Sequence, residues 1–177
     1  MSASSSHRRQ QTAIAAGLLA VGLAALAALS QGGPVLLANT TASEPKGLYV
    51  RRFAPVRVGA LIAFATPAPA FPYADYRLGY LRTRPLLKAV AAGPGDLVCT
   101  ASGRLVINGA DRAAIARVDG EGRALPRWNG CRRLGADELF AFSDRVPNSF
   151  DSRYFGPVSR GAVIGVFRPL RVSRAVS

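Results

Sequence analysis

A mainly β domain behind one N-terminal transmembrane helix is the architecture this sequence predicts. Three observations lead there. Residues 13–29 (AIAAGLLAVGLAALAAL) carry no charge. The rest of the chain is rich in Val, Leu, Gly, Pro and Arg and has no long helical period. Its short apolar runs are separated by Gly, Pro and Asn turn signals, the pattern of a β domain with irregular loops.

At 177 residues the chain fits one domain and a small appendage. The expected divisions are a polar tail at 1–11, an anchor at 12–31 and an exported domain at 32–177. Crossing a bilayer core takes about 20 apolar residues, and only a helix satisfies its own backbone there. Arg8 and Arg9 precede the apolar run, which predicts a cytoplasmic N-terminus and an exported C-terminal domain. A cleavable signal peptide has the same order of charge and apolar run. The length of the run favours a retained anchor, and amino-terminal sequencing separates the two.

Within the exported part, residues 47–52 (GLYVRR) read as extended and 59–65 (GALIAFA) as a buried strand. The Pro-rich stretch 66–72 cannot continue a central strand. Residues 85–92 (PLLKAVAA) form an apolar run closed by the turn Gly93-Pro94-Gly95-Asp96. Residues 97–100 and 104–107 read as paired strands, and Asn108-Gly109 supplies the next tight turn. Residues 110–135 are Gly- and Arg-rich and poorly periodic, an excursion from the core. The last strands are 138–142 and 161–168, flanking a loop from Ser143 to Pro157.

The net charge is +13, and Lys46 and Lys88 are the only lysines among 23 basic residues. The charges are scattered, which points first to a solvated surface, then to anionic lipid, with nucleic acid last and not expected. One histidine (His7) and two cysteines leave no Cys/His cluster, so no metal and no cofactor are expected. Outside the cytoplasm a Cys99–Cys131 disulfide is chemically permitted, and two free thiols are the alternative.

Three segments carry chemistry. Lys88 lies in Leu86-Leu87-Lys88-Ala89-Val90 with no other polar side chain beside it. On a strand it shares a face with Leu86 and Val90. Loss of hydration lowers the pKa of a lysine held there, and a neutral amine can take a proton from a serine. A snorkelling or salt-bridged edge lysine is the plainer reading. Arg cannot act as such a base, so a lysine in an arginine-rich chain strengthens the first. Ser43 lies in Asn39-Thr40-Thr41-Ala42-Ser43-Glu44-Pro45-Lys46-Gly47, where Pro and Gly suggest a shaped turn. A Ser/Thr-rich connector has the same composition. In Pro147–Pro157, Ser149 or Asp151 can orient the lysine, or Asp151 and Arg153 can simply pair to hold the loop.

Together and in this order the three segments resemble the signal peptidase I superfamily, and within it the TraF-type peptidases of bacterial conjugation. The matching residues are Ser43-x-Pro45-x-Gly47-Leu48-Tyr49, then Leu87-Lys88-x-Val90-x-x-x-Pro94-Gly95-Asp96, then Asn148-Ser149-x-Asp151-Ser152-Arg153-Tyr154-x-Gly156. Asn108-Gly109 also falls where the family has a turn. Ordinary signal peptidases place one more residue between serine and proline, so Ser43-Glu44-Pro45 favours the TraF branch over a housekeeping leader peptidase.

The resemblance implies a signal-peptidase-like β catalytic domain against the outer face of the bacterial inner membrane. It implies Ser43 as nucleophile and Lys88 as general base. It implies Thr41, two residues earlier, as the hydroxyl donor to the oxyanion beside the Ser43 N–H. Ser149 and Asp151 match the polar residues near the lysine, with Arg153 as a structural neighbour. The implied substrate is a pilin precursor or preprotein delivered in the membrane, resolved by hydrolysis or by cyclisation. The competing non-enzymatic reading is a basic, membrane-anchored assembly factor of a secretion channel, which gives no reason for the three segments to occur together.

Overall fold

The computed structural model describes residues 14–22, 33–71, 73–77 and 79–172. By contacts the chain divides into two units, Met1–Val35 and Leu36–Ser177. In the first, residues 14–22 are helical, with Ile14, Leu18, Leu19 and Val21 exposed. The rest of the expected anchor, residues 12–13 and 23–31, lies outside the described residues. Among the described residues no helix is long and apolar enough to cross a membrane.

The second unit is built on antiparallel strands: β1 (Leu36–Asn39), β2 (Gly47–Arg52), β3 (Leu61–Phe64), β4 (Leu86–Ala92), β5 (Leu97–Cys99), β6 (Arg104–Ile107), β7 (Ala110–Ala114), β8 (Cys131–Arg133), β9 (Glu138–Phe142), β10 (Val158–Ser159) and β11 (Val163–Val172). Seven form one sheet in the order β1-β2-β11-β3-β4-β9-β10. The other four form a small sheet in the order β7-β6-β5-β8, inserted between β4 and β9.

Strand alternation explains the core. Successive residues point to opposite faces. Ile62, Leu86 and Val90 enter one apolar cluster with Phe64, Leu139 and Val166. Their neighbours Ala63 and Leu87 enter another, with Tyr49 and Phe167. The central strands are therefore covered on both faces, which is why their sequences read as continuous apolar runs. On β9, Phe140 and Phe142 join Ala92, Val98, Leu105 and Tyr154 in a third cluster that ties the two sheets together.

The turns follow their residues. Asn108 (φ 49°) and Gly109 (φ 82°) both take the left-handed region, as a two-residue hairpin turn requires. The Asn108 amide also donates to Asp96 at 2.8 Å and accepts from the Leu97 N–H at 2.8 Å. At the Gly93–Asp96 turn, the Asp96 carboxylate accepts the Gly93 N–H at 2.8 Å, which lowers its pKa.

Several elements lack a strong sequence signal. Leu36–Asn39 is not among the expected strands but pairs with β2 from Leu36↔Val50 to Asn39↔Gly47. Residues 110–135 contain β7 and β8, which gain strand geometry from the ladder and not from an apolar period. Their residues are almost all exposed. Helical turns at Tyr73–Arg77 and Gly79–Arg82 cross between β3 and β4. Cys99 and Cys131 sit directly opposite each other on β5 and β8 and form a disulfide.

Candidate active site

Ser43 reaches its position through an edge strand. β1 ends at Asn39 and β2 begins at Gly47, its paired residue, so residues 40–46 form a closed loop. Gly47 has φ 145°, and a Cβ there would lie 2.1 Å from the Arg171 carbonyl oxygen. Only glycine lets β2 start this close to β11. Within the loop the Asn39 amide nitrogen shares its two protons among the carbonyls of Thr41 (3.0 Å), Glu44 (2.9 Å) and Pro45 (3.1 Å). The buried Tyr49 hydroxyl donates to the Pro45 carbonyl at 2.5 Å.

Lys88 arrives from the middle of β4 and is 4 % exposed. Its Nζ donates to Ser43 Oγ at 2.7 Å and to the Leu87 carbonyl at 3.2 Å. Burial lowers the Lys88 pKa; the carboxyls of Asp151 and Glu44 oppose that shift, and Arg153 adds to it. The predicted serine and lysine, 45 residues apart in sequence, are thus in hydrogen-bond contact. Thr41 Oγ1 lies 3.2 Å from Ser43 Oγ.

The Asn148–Gly156 segment meets the site through its backbone and one bare hydroxyl. Asp151 is fully buried and caps the short helix Ser152–Phe155 by accepting the Arg153 N–H at 3.2 Å. Its carboxylate also takes the Arg153 guanidinium in a fork, at 2.8 Å and 2.9 Å. Arg153, itself 1 % exposed, donates to the carbonyls of Ala114 and Ser149 and stacks over Phe142. Among the described residues, no hydrogen bond joins Asp151 to Ser43 or Lys88; its remaining contact is the Ser143 N–H at 3.4 Å. Ser149 is 2 % exposed, and its hydroxyl has no hydrogen-bond partner among the described residues. It lines the same cleft as Ser43 and Lys88.

Two participants escape sequence reasoning. Ser143, just past β9, donates its hydroxyl to the Ser43 carbonyl, one hundred residues away. Glu44 is buried against the same hydroxyl and the Ala89 backbone, and its pKa is raised by that burial, opposed by Lys88 and Arg145. Glu44 is legible in sequence only as an extra spacing feature. Ser143 carries no mark at all.

The cleft holds about 470 Å³ and runs from Leu36 and Asn39 past Ser43 to Leu86, Lys88 and Ser149. An amine with a lowered pKa touching a serine hydroxyl, beside a second hydroxyl, is an arrangement capable of acyl transfer. Among the described residues no group of His, Cys, Asp and Glu is placed to hold a metal.

Comparison with known proteins agrees on the family. The model of the family described as "Signal peptidase, peptidase S26" matches residues 10–170. A plasmid transfer protein TraF of Escherichia coli is 37% identical over 165 residues, covering 81% of this chain and 89% of that one. A second Escherichia coli plasmid transfer protein TraF is 38% identical over 170 residues, covering 89% and 94%. A conjugal transfer protein TraF of Agrobacterium fabrum is 37% identical over 145 residues, covering 75% and 80%. A crystal structure of a signal peptidase I from Enterococcus faecalis aligns with TM-score 0.39 and 21% identity, over 65% of this chain and 98% of that one. On the family model and these relatives, the chain belongs to the signal peptidase family, peptidase S26, with TraF proteins among its relatives.

Proposed function

We propose that this chain is a membrane-anchored serine peptidase or acyl transferase that processes a conjugative pilin precursor on the outer side of the inner membrane. The carrying observation is the buried 2.7 Å contact between Lys88 Nζ and Ser43 Oγ. Neutral Lys88 removes the Ser43 proton as Ser43 Oγ attacks a backbone carbonyl of the precursor. The Ser43 N–H and the Thr41 hydroxyl receive the oxyanion. The Lys88 ammonium then returns the proton to the departing amine. Water, or the precursor's own amino terminus, resolves the acyl-enzyme, and cyclisation leaves a product one water lighter than its linear counterpart. Ser149 lines the same cleft as Lys88, and its hydroxyl, unpartnered among the described residues, suits it to orient the amine. Asp151 serves the site through Arg153 and the Ser143 backbone.

The TraF names of the relatives support the conjugative setting. A disulfide between Cys99 and Cys131 supports export, since disulfides persist in oxidising compartments. The apolar run at 12–31 supports a single anchor with the N-terminus in the cytoplasm. Expression of Ser43→Ala and of Lys88→Ala with the precursor tests the assignment. Each variant is expected to leave the precursor unprocessed in membranes by mass spectrometry. Full processing by either removes it.

A further inference from the structure

Asn39 is the last residue of β1 and belongs to no sequence motif of a serine–lysine pair. Its side chain is nevertheless saturated with contacts to the nucleophile loop. The amide oxygen accepts the Thr41 N–H at 3.2 Å and the Thr41 hydroxyl at 2.9 Å. The amide nitrogen faces three carbonyls, those of Thr41, Glu44 and Pro45. This pattern fixes which end of the amide is which: a flipped amide would aim its oxygen at three acceptors and its nitrogen at a backbone donor.

The orientation has a consequence for protons. Asn39 Oδ1 only accepts, so the Thr41 hydroxyl proton points to it. Thr41 has one such proton, so Ser43 Oγ–H fills the contact between Thr41 and Ser43. Lys88 Nζ donates to Ser43 Oγ. The site is a directed chain, Lys88 to Ser43 to Thr41 to Asn39, and its direction is set at the Asn39 end.

We infer that Asn39 is a positioning residue for the reaction, acting through Thr41: its amide oxygen fixes the Thr41 side chain so that the hydroxyl stands beside Ser43 Oγ, ready to turn to the oxyanion. The backbone N–H and hydroxyl of Thr41 grip the same oxygen atom, which restricts the Thr41 χ1 rotamer. For the reaction the Ser43 proton first swings from Thr41 to the lone pair of neutral Lys88; as it passes to the amine, Thr41 needs only to rotate its O–H bond, with its oxygen already in place. Without Asn39 the Thr41 side chain is free to leave that rotamer, and the oxyanion loses a preorganised donor.

The inference rests on Ser43 as nucleophile and Thr41 as oxyanion donor. Its test is a double-mutant cycle in the full-length enzyme in detergent micelles, with the pilin precursor as substrate and Ser43→Ala as the parallel control. Thr41→Val is expected to lower kcat by about 10²–10³-fold. Asn39→Ala is expected to lower kcat by at least about tenfold, with KM within about threefold and the Tm recorded alongside. The Asn39→Ala/Thr41→Val double variant is expected to fall within about threefold of Thr41→Val alone, because Asn39 has nothing left to position. Should Asn39→Ala fail to fold, Asn39→Ser runs through the same cycle. Wild-type kcat in the Asn39 variant overturns the inference. So do losses that multiply in full, since Asn39 then acts independently of Thr41. Activity in Ser43→Ala instead overturns the functional reading beneath it, so the two failures are distinguishable.

Discussion

A buried amine carries a desolvation cost, and at Lys88 that cost is tied to its proposed use as a base. Burial lowers the folded-state pKa below the ordinary lysine value of 10.5. Between the lowered value and 10.5 the unfolded chain binds a proton that the folded chain does not. Stability therefore rises with pH through that window, and the full penalty remains below it. Lys88→Met removes the charged form. It is expected to abolish processing yet stabilise the fold by about 1–2 kcal/mol, a Tm gain of a few degrees. Melts at several pH values check this: the gain is largest at low pH and fades toward 10.5, and a gain independent of pH contradicts it. Substitution at Asp151 is expected to act on stability in the opposite direction. It neutralises Arg153 where neither side chain reaches solvent. Asp151→Asn leaves that cation uncompensated, at a cost of about 3–5 kcal/mol. Turnover and Tm are expected to fall together, and turnover lost at an unchanged Tm would make Asp151 a participant in the chemistry. Ser43 and Lys88 are singled out in sequence only by three segments resembling one family in order, since each segment alone has a plainer reading, and the structure brings the two side chains into contact. Ser143 is not singled out, because a serine after a strand has many uses. The Asp151–Arg153 pair was legible as one of two alternatives, and the observed hydrogen bonds match the structural one.

At the scale of elements, most of the large sheet and the β5–β6 hairpin of the small one follow from the sequence. β2, β6 and β9 coincide with the expected segments, and β3, β4 and β5 fall inside them, because burial leaves an apolar record. β11 runs on to Val172 past Arg168, held there by pairing with β2, in a stretch too polar to be read as buried. β1 is missed for a related reason: an edge strand of four residues with half its side chains in water has little pattern to read. Yet β1 and the start of β2 frame the loop that carries Ser43, and their junction is testable. Gly47→Ala introduces a methyl group against the Arg171 carbonyl and forces a positive φ on a residue with a side chain. The expected loss is at least about 2 kcal/mol. Because the strain falls where β2 opens, processing is expected to drop more than the Tm alone accounts for. Chemical denaturation beside a processing assay decides the point, and a wild-type melt and rate would mean that β11 yields easily at Arg171.

Over the whole molecule, the proposed site is assembled from the β1–β2 loop, the centre of β4 and the segment after β9, while the second sheet inserted between β4 and β9 stays outside it. No sequence pattern announces which distant segments meet, because register across a sheet is set by packing of the complete fold. The disulfide belongs to that inserted sheet and closes a sequence separation of 32 residues. Loop closure of this length stabilises by roughly 3–4 kcal/mol in the chain-entropy treatment. It forms only where the compartment permits, so it reports on the topology of the whole chain. A protein anchored through residues 12–31 with its arginines in the cytoplasm delivers Cys99 and Cys131 to an oxidising space. The full chain in cells is therefore expected to resist thiol alkylation until reduced. A version lacking residues 1–31 is expected to stay in the cytoplasm and to label at both cysteines. It should also melt lower than the oxidised full chain by about the loop-closure term. Full-length protein that alkylates at both cysteines without reduction would place the domain on the cytoplasmic side and reverse the proposed orientation. A disulfide in the truncated chain would show that the cysteines pair without export and remove their value as reporters.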